Sequence, residues 1–309
     1  MRRLTGLLVC ASVLSACTIP TDGGSRDGDD DQRPPVSTGA SPWVTGTTSQ
    51  LVPGARELQR VADEIAAAAV ADGPVGVALA DGHAVAESGS VTVGPAWSTV
   101  KVPVSMAVLY RGTGTVETVD RAITVSDNAA LDTLWYSLGG GADAAAATEE
   151  ILRKAGDETT VPPEITRPGF SAAGQTAWAL ADQARFAHQM TCIPGAGAVL
   201  TAMNQITEAQ SYGLGRIPGL PFKGGWGPDD SGDYLVRQFG VLQTPDGEVG
   251  VALAVRPGDG TYDTGRAMLD RMAGTLQTAI DDGGFTGAAA CVPEPHPEAV
   301  PVPDDAEPR

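Results

Sequence analysis

Residues 97–104 read Trp97-Ser98-Thr99-Val100-Lys101-Val102-Pro103-Val104, and the apolar run Ser105-Met106-Ala107-Val108-Leu109-Tyr110 follows directly. Ser98 and Lys101 stand three apart, so in a helix both side chains lie on one face, where an amine can take the proton of a hydroxyl nucleophile. Proline is accepted only in the first turn of a helix, so Pro103 predicts a helix that begins close to Ser98. At that end, free backbone N–H groups and the positive end of the helix dipole can stabilise an oxyanion. The stretch has the makings of a serine acyl-transfer site. A capping serine beside a solvated lysine would produce the same tetrapeptide, so the choice rests on the rest of the chain.

Two later triplets bear on it. Ser126-Asp127-Asn128 reads as a loop that starts a helix over Ala129 to Leu138, and Lys223-Gly224-Gly225 lies in a strand-like run from Pro221 to Trp226. Lysine usage points the same way: the chain has three lysines against seventeen arginines, and two of the three are Lys101 and Lys223. Arginine keeps its proton at any working pH, whereas a desolvated lysine can release it, so lysine is retained where proton transfer needs it.

Ser98-x-x-Lys101, Ser126-Asp127-Asn128 and Lys223-Gly224-Gly225, in this order, resemble the three signatures of serine β-lactamases and penicillin-binding proteins. The resemblance runs from about residue 51 to 282 and is closest to class A β-lactamases. Ile123 to Ala130 is similar to that family's second-motif segment, and Phe239 to Val255, with the turn Pro245-Asp246-Gly247, to its last two strands. The resemblance implies Ser98 as the acyl-accepting nucleophile and Lys101 as its base or proton relay. Ser126 would pass a proton to the leaving nitrogen, Asn128 would hold the substrate amide, and Lys223 would attract the substrate carboxylate. Gly225 and Trp226 would border the substrate, with the N–H groups of Ser98 and Trp226 forming an oxyanion hole. Counting back from the turn, Arg237 falls where the family often keeps a carboxylate-binding arginine. No cofactor and no metal are implied.

The sequence departs from the family pattern in three places. Gly224 replaces the usual threonine or serine and offers no hydroxyl, which weakens binding by about 1 kcal/mol, the scale of one hydrogen bond. The spacing from Ser98 to Ser126 is short, which predicts an open groove. The loop from Gly156 to Thr176 is also short and lacks the family's Glu-x-x-x-Asn pattern, leaving Glu164 as its central acid and its candidate water activator. A solvated loop acid is the other reading of Glu164. If it is the right one, an acyl-enzyme persists.

The periodicities along the chain predict an α+β fold. Leu58, Val61, Ala62, Ile65, Ala68 and Ala69 mark an amphipathic helix, and Val75–Ala80 and His83–Glu87 a hairpin. The Ser98 helix ends near Gly112, and further helices are expected at Val116–Ile123, Ala129–Leu138, Ala142–Ala155 and Thr176–Met190, with a loop over Thr159–Gly174. Strands at Pro221–Trp226, Tyr234–Gln243 and Glu248–Val255 precede a last helix at Arg266–Ile280. Together these give a five-stranded antiparallel sheet flanked by helices with an inserted all-α subdomain, the β-lactamase/transpeptidase-like arrangement.

The ends of the chain concern its address. Arg2, Arg3, the apolar stretch Leu4–Leu14 and then Leu14-Ser15-Ala16-Cys17 read as a signal peptide over 1–16, and Leu-Ser-Ala-Cys resembles the bacterial lipobox, which would make Cys17 the lipidated first residue. Residues 17–50 read as a tether with a reach of roughly 30 Å by random-coil scaling. Residues 51–291 form the β-lactamase-like domain and 292–309 a Pro/acidic tail. The expected location is extracytoplasmic, held to the cell membrane by the lipid.

Of the four cysteines, Cys10 leaves with the signal and Cys17 carries lipid; in an oxidising compartment a Cys192–Cys291 disulfide is the natural state of the other two. The scattered histidines at 83, 188 and 296 give no metal-ligand spacing. A net charge of −18 argues against nucleic acid as a partner. The expected protein is a monomeric, lipid-anchored serine hydrolase or acyltransferase that acts on a β-lactam or a cell-wall peptide and deacylates poorly. The alternative is a catalytically degenerate β-lactamase-like binding lipoprotein of the envelope.

Overall fold

The computed structural model describes residues 53–285 and 287–288. The signal, Cys17, the tether, Cys291 and the acidic tail lie outside the described residues.

The chain begins with helix α1 (Pro53–Ala67) and strands β1 (Val75–Ala80), β2 (Val85–Gly89) and β3 (Val93–Pro95). A 3₁₀ turn, Trp97–Val100, runs into α2 (Lys101–Arg111), and α3 (Val116–Thr124), α4 (Asn128–Ser137) and α5 (Gly141–Lys154) follow. Strand β4 (Ala177–Ala179) leads into α6 (Leu180–Gln189) and α7 (Ala196–Met203); β5 (Phe222–Pro228), β6 (Tyr234–Thr244), β7 (Gly247–Val255) and α8 (Tyr262–Asp281) complete the fold. The main sheet is antiparallel and five-stranded, as expected from the sequence, and its strands run in the order β2-β1-β7-β6-β5.

Two hydrophobic layers enclose this sheet. Val249, Val251, Leu253 and Val255 of β7 join Val75, Val77 and Leu79 of β1 against α1 and α8. The opposite face carries Ala78, Ala80, Ala252 and Ala254, which meet Phe186, Ala184 and the helical subdomain. The small residues of β7 are a packing requirement, because they let α6 lie directly on the strand: a Cβ on Gly250 would sit 1.9 Å from Ala184 O. The alternation that the sequence showed in β7 therefore reports two covered faces.

Local signals explain where the elements begin and end. Pro103 is the third residue of α2, where its missing N–H costs no helical bond. Gly112, at φ 66°, closes α2 by donating its N–H to Leu109 O and Val108 O. Asp127 caps α4 by accepting from Ala129 N at 2.8 Å and Ala130 N at 3.1 Å.

Three elements differ from the sequence expectation. The segment read as one helix from Thr176 opens with β4, whose residues Ala177–Ala179 pair with β3, itself unpredicted. Helix α7 falls in a stretch that carried no assignment. All three are short, eight residues or fewer, and tertiary pairing decides their conformation.

Candidate active site

The groove of about 560 Å³ that opens beside Ser98 is bordered by Trp97, Ser126, Asn128, Phe170 and Trp226. Ser98 sits in the 3₁₀ turn just ahead of α2, and Lys101, the first residue of that helix, is fully buried beneath it. Lys101 Nζ lies 3.2 Å from Ser98 Oγ and 3.1 Å from Ser126 Oγ, and it donates to Ser126 O at 2.6 Å and Asn128 Oδ1 at 2.7 Å. Lys223 Nζ, buried in β5, donates to Ser126 Oγ at 3.0 Å and Gly224 O at 3.0 Å. Residues far apart in sequence thus share one short network, Ser98–Lys101–Ser126–Lys223, with Asn128 on its flank.

Burial lowers the pKa of both amines. Desolvation lowers the pKa of Lys101 to about 8, against the opposing pull of Asp127 and Asp132. Lys223 is pushed well below its ordinary value by burial and, secondarily, by the charge of Lys101. Two of the four neighbours of Lys101 Nζ, Ser126 O and Asn128 Oδ1, are acceptors only. A neutral amine would satisfy these two with its N–H groups and keep its lone pair for the hydroxyl proton of Ser98.

The backbone is also specialised here. Trp97, at φ 49°, and Ser126, at φ 57°, are the two non-glycine residues of the described chain in the left-handed region. Each costs about 1–3 kcal/mol; Trp97 immediately precedes Ser98, and Ser126 carries the hydroxyl that lies between the two lysines. Gly225 is needed for close approach, since a Cβ there would lie 2.8 Å from Ala96 O and 2.9 Å from Ser98 N. Strand β5 can therefore run directly against the turn that carries Ser98. Trp226, the next residue, borders the groove and stacks on Tyr262, with ring centroids 5.1 Å apart.

Two expected site residues lie elsewhere. Arg237 is 1% exposed and spends its guanidinium inside the protein, donating to Gly94 O, Pro95 O, Trp178 O and Gln183 Oε1. The strand register pairs Gly224 with Gln238 and Gly225 with Arg237, so Arg237 shares the face of Leu235 and Phe239, which packs under α6. A step of one residue along a strand reverses the face, and counting from a turn does not resolve it. Gln238 holds the other face, but it too is buried and bonds Tyr212 O and Leu214 N.

Glu164 is the second residue that lies away from the groove. It is exposed and does not border the groove, which its neighbour Ile165 does. The loop is held by residues other than its central acid. Gln175 Nε2 donates to Arg167 O, Phe170 O and Ser171 O, and Asp157 accepts from Trp178 Nε1 at 2.7 Å. Arg167 ties the loop to the end of β5 through Pro228 O and Asp229 O.

The sequence reading missed Trp97, Phe170 and Asp132 as groove residues. Asp132 had a usable signal, because it stands four residues after Asn128 on α4 and therefore on the same helical face. Phe170 had none; it reaches the groove by packing on Trp97, with ring centroids 4.9 Å apart.

Two layers of helices around a five-stranded antiparallel sheet, with Ser98 between that sheet and an all-α subdomain, define the β-lactamase fold. No family model and no curated protein matches the chain. Solved structures do. TLA-3 extended-spectrum β-lactamase is similar with a TM-score of 0.58 at 14% identity, over 72% of this chain and 99% of its own. A mutant of PBP-A, solved as an acyl-enzyme complex with penicillin G, is similar with a TM-score of 0.56 at 20% identity, over 75% of this chain and 100% of its own. A β-lactamase from Streptosporangium roseum gives a TM-score of 0.56 at 14% identity, over 73% and 99%. The fold is thus shared with β-lactamases and with PBP-A.

Proposed function

We propose that the protein is a serine hydrolase or acyltransferase of the β-lactamase and penicillin-binding type, anchored to the cell membrane through Cys17 and acylated at Ser98 by β-lactams or cell-wall peptides. The observation that carries this reading is the position of Lys101, buried, low in pKa and 3.2 Å from Ser98 Oγ. Neutral Lys101 takes the proton of Ser98 as Oγ attacks the acyl carbon, and the N–H groups of Ser98 and Trp226 receive the oxyanion. Ser126, held between the two lysines, returns a proton to the leaving nitrogen as the C–N bond breaks. Lys223 draws the ligand carboxylate.

Deacylation is slow in this proposal. It needs a water activated by a base, typically worth about 10²–10⁴-fold, and Glu164 stands outside the groove. The test is intact-protein mass spectrometry after exposure to a penicillin, followed over time. A single adduct that is absent in Ser98→Ala and persists equally in wild type and Glu164→Gln is the expected result. Absence of any adduct on Ser98 would favour the non-catalytic envelope binding protein. Fast turnover dependent on Glu164 would refute the slow step.

A further inference from the structure

A side pocket of about 200 Å³ adjoins the groove and shares Leu131, Asp132, Ile165 and Ser171 with it. Its remaining wall includes Trp135, Tyr136 and Pro163. Asp132 is the one charged side chain among the described residues that line either space. The cation whose charge Asp132 feels is Lys101, and its ammonium is spent on Ser126 O and Asn128 Oδ1 and makes no ion pair with Asp132. Tyr136 is 74% exposed and Ile165 60% exposed, so the pocket presents apolar surface to solvent around a carboxylate with no ion-pair partner among the described residues. Helix α4 fixes this arrangement, because Asp132 lies one turn beyond Asn128, whose Oδ1 accepts from Lys101.

We propose that this pocket is a specificity site for a ligand side chain that ends in a primary ammonium on an aliphatic stem, with Asp132 receiving the ammonium and Trp135, Tyr136 and Ile165 covering the stem. A carboxylate at the rim of an aromatic, apolar recess suits such a group. The stem gains burial, the cation gains both an ion pair and the electron-rich ring faces, and a neutral or anionic side chain gains only part of this or is repelled. The proposal deepens the acyl-transfer reading by naming the class of ligand its groove selects, and it rests on that reading for the ligand's orientation toward Ser98.

The test compares a penicillin whose acyl side chain ends in a primary amine with its N-acetylated counterpart. Equilibrium binding to Ser98→Ala, measured by calorimetry, reads the pocket without any chemistry. The aminated ligand is expected to bind about tenfold more tightly, the combined scale of a partly exposed ion pair and a cation–aromatic contact. Asp132→Asn should bring the two affinities within about twofold, and Asp132→Lys should invert the preference. Equal affinities in Ser98→Ala, a preference that survives Asp132→Asn, or no binding of the aminated ligand at millimolar concentration would each overturn the proposal. So would loss of the Ser98 adduct at a rate that depends on Asp132, which would give that carboxylate to water activation. Failure of wild type to form an adduct with either penicillin would instead refute acylation at Ser98 and leave the binding comparison to decide the pocket.

Discussion

Replacing Lys101 by arginine keeps a cation in the site and removes its ability to give up a proton, so it isolates the role assigned to the amine. In the wild type the lone pair of Lys101 exists only in the deprotonated form, and burial brings its pKa to about 8. At pH 7 roughly a tenth of the molecules hold a neutral Lys101, and at pH 6 roughly a hundredth. The rate constant for acylation of Ser98 should therefore climb about tenfold per pH unit below 8 and level off above it, activity being lost as pH falls through the lysine pKa. Arginine stays charged across this range, so Lys101→Arg should show no such rise and should lie about 10²–10⁴-fold below the wild-type plateau above pH 8, the gap narrowing about tenfold per unit as pH falls below 8. Lys101→Met, closer in volume, guards against a steric effect of the guanidinium. The assay is the second-order rate of fluorescent-penicillin attachment between pH 5.5 and 10, with circular dichroism to establish that each variant is folded. A flat wild-type profile from pH 6 to 9, or a Lys101→Arg rate within about threefold of wild type at pH 9, would refute the reasoning.

Gly225→Ala places a Cβ 2.9 Å from Ser98 N, so β5 must move off the nucleophile turn; acylation should fall by about 10²-fold with the circular dichroism spectrum unchanged. Arg237→Ala strips the donors from Gly94 O, Pro95 O, Trp178 O and Gln183 Oε1, and urea unfolding should report a loss of about 2–5 kcal/mol while acylation per folded molecule holds. A Cys192–Cys291 disulfide is expected to contribute about 2–4 kcal/mol. The chain at Ala288, three residues before Cys291, reaches His188 Nε2 at 3.2 Å on the helix that precedes Cys192, and two free thiols in the folded, non-reduced protein would exclude the bond. Cys17→Ser should release the protein from the membrane fraction, and unchanged retention there would count against lipidation.

Much of this protein was legible in the order of its residues, because the signals involved are local. Period-3.6 runs marked α1 and α8, alternation marked β7, and Pro103 and Gly112 bounded α2. Ser98 and Lys101 were readable as a pair since one helical turn brings them together without help from the fold. The scarcity of lysine singled out Lys223 even though nothing in the sequence says that its amine meets Ser126 Oγ. Tertiary structure decided the rest. Whether Arg237 faces substrate or core depends on the register of β5 against β6, a long-range pairing in which one residue reverses the answer. The exclusion of Glu164 and the inclusion of Phe170 and Asp132 depend on how a clamped loop and α4 meet across the groove. The low pKa of Lys101 is likewise a property of its surroundings, because desolvation requires the whole fold to close over one side chain.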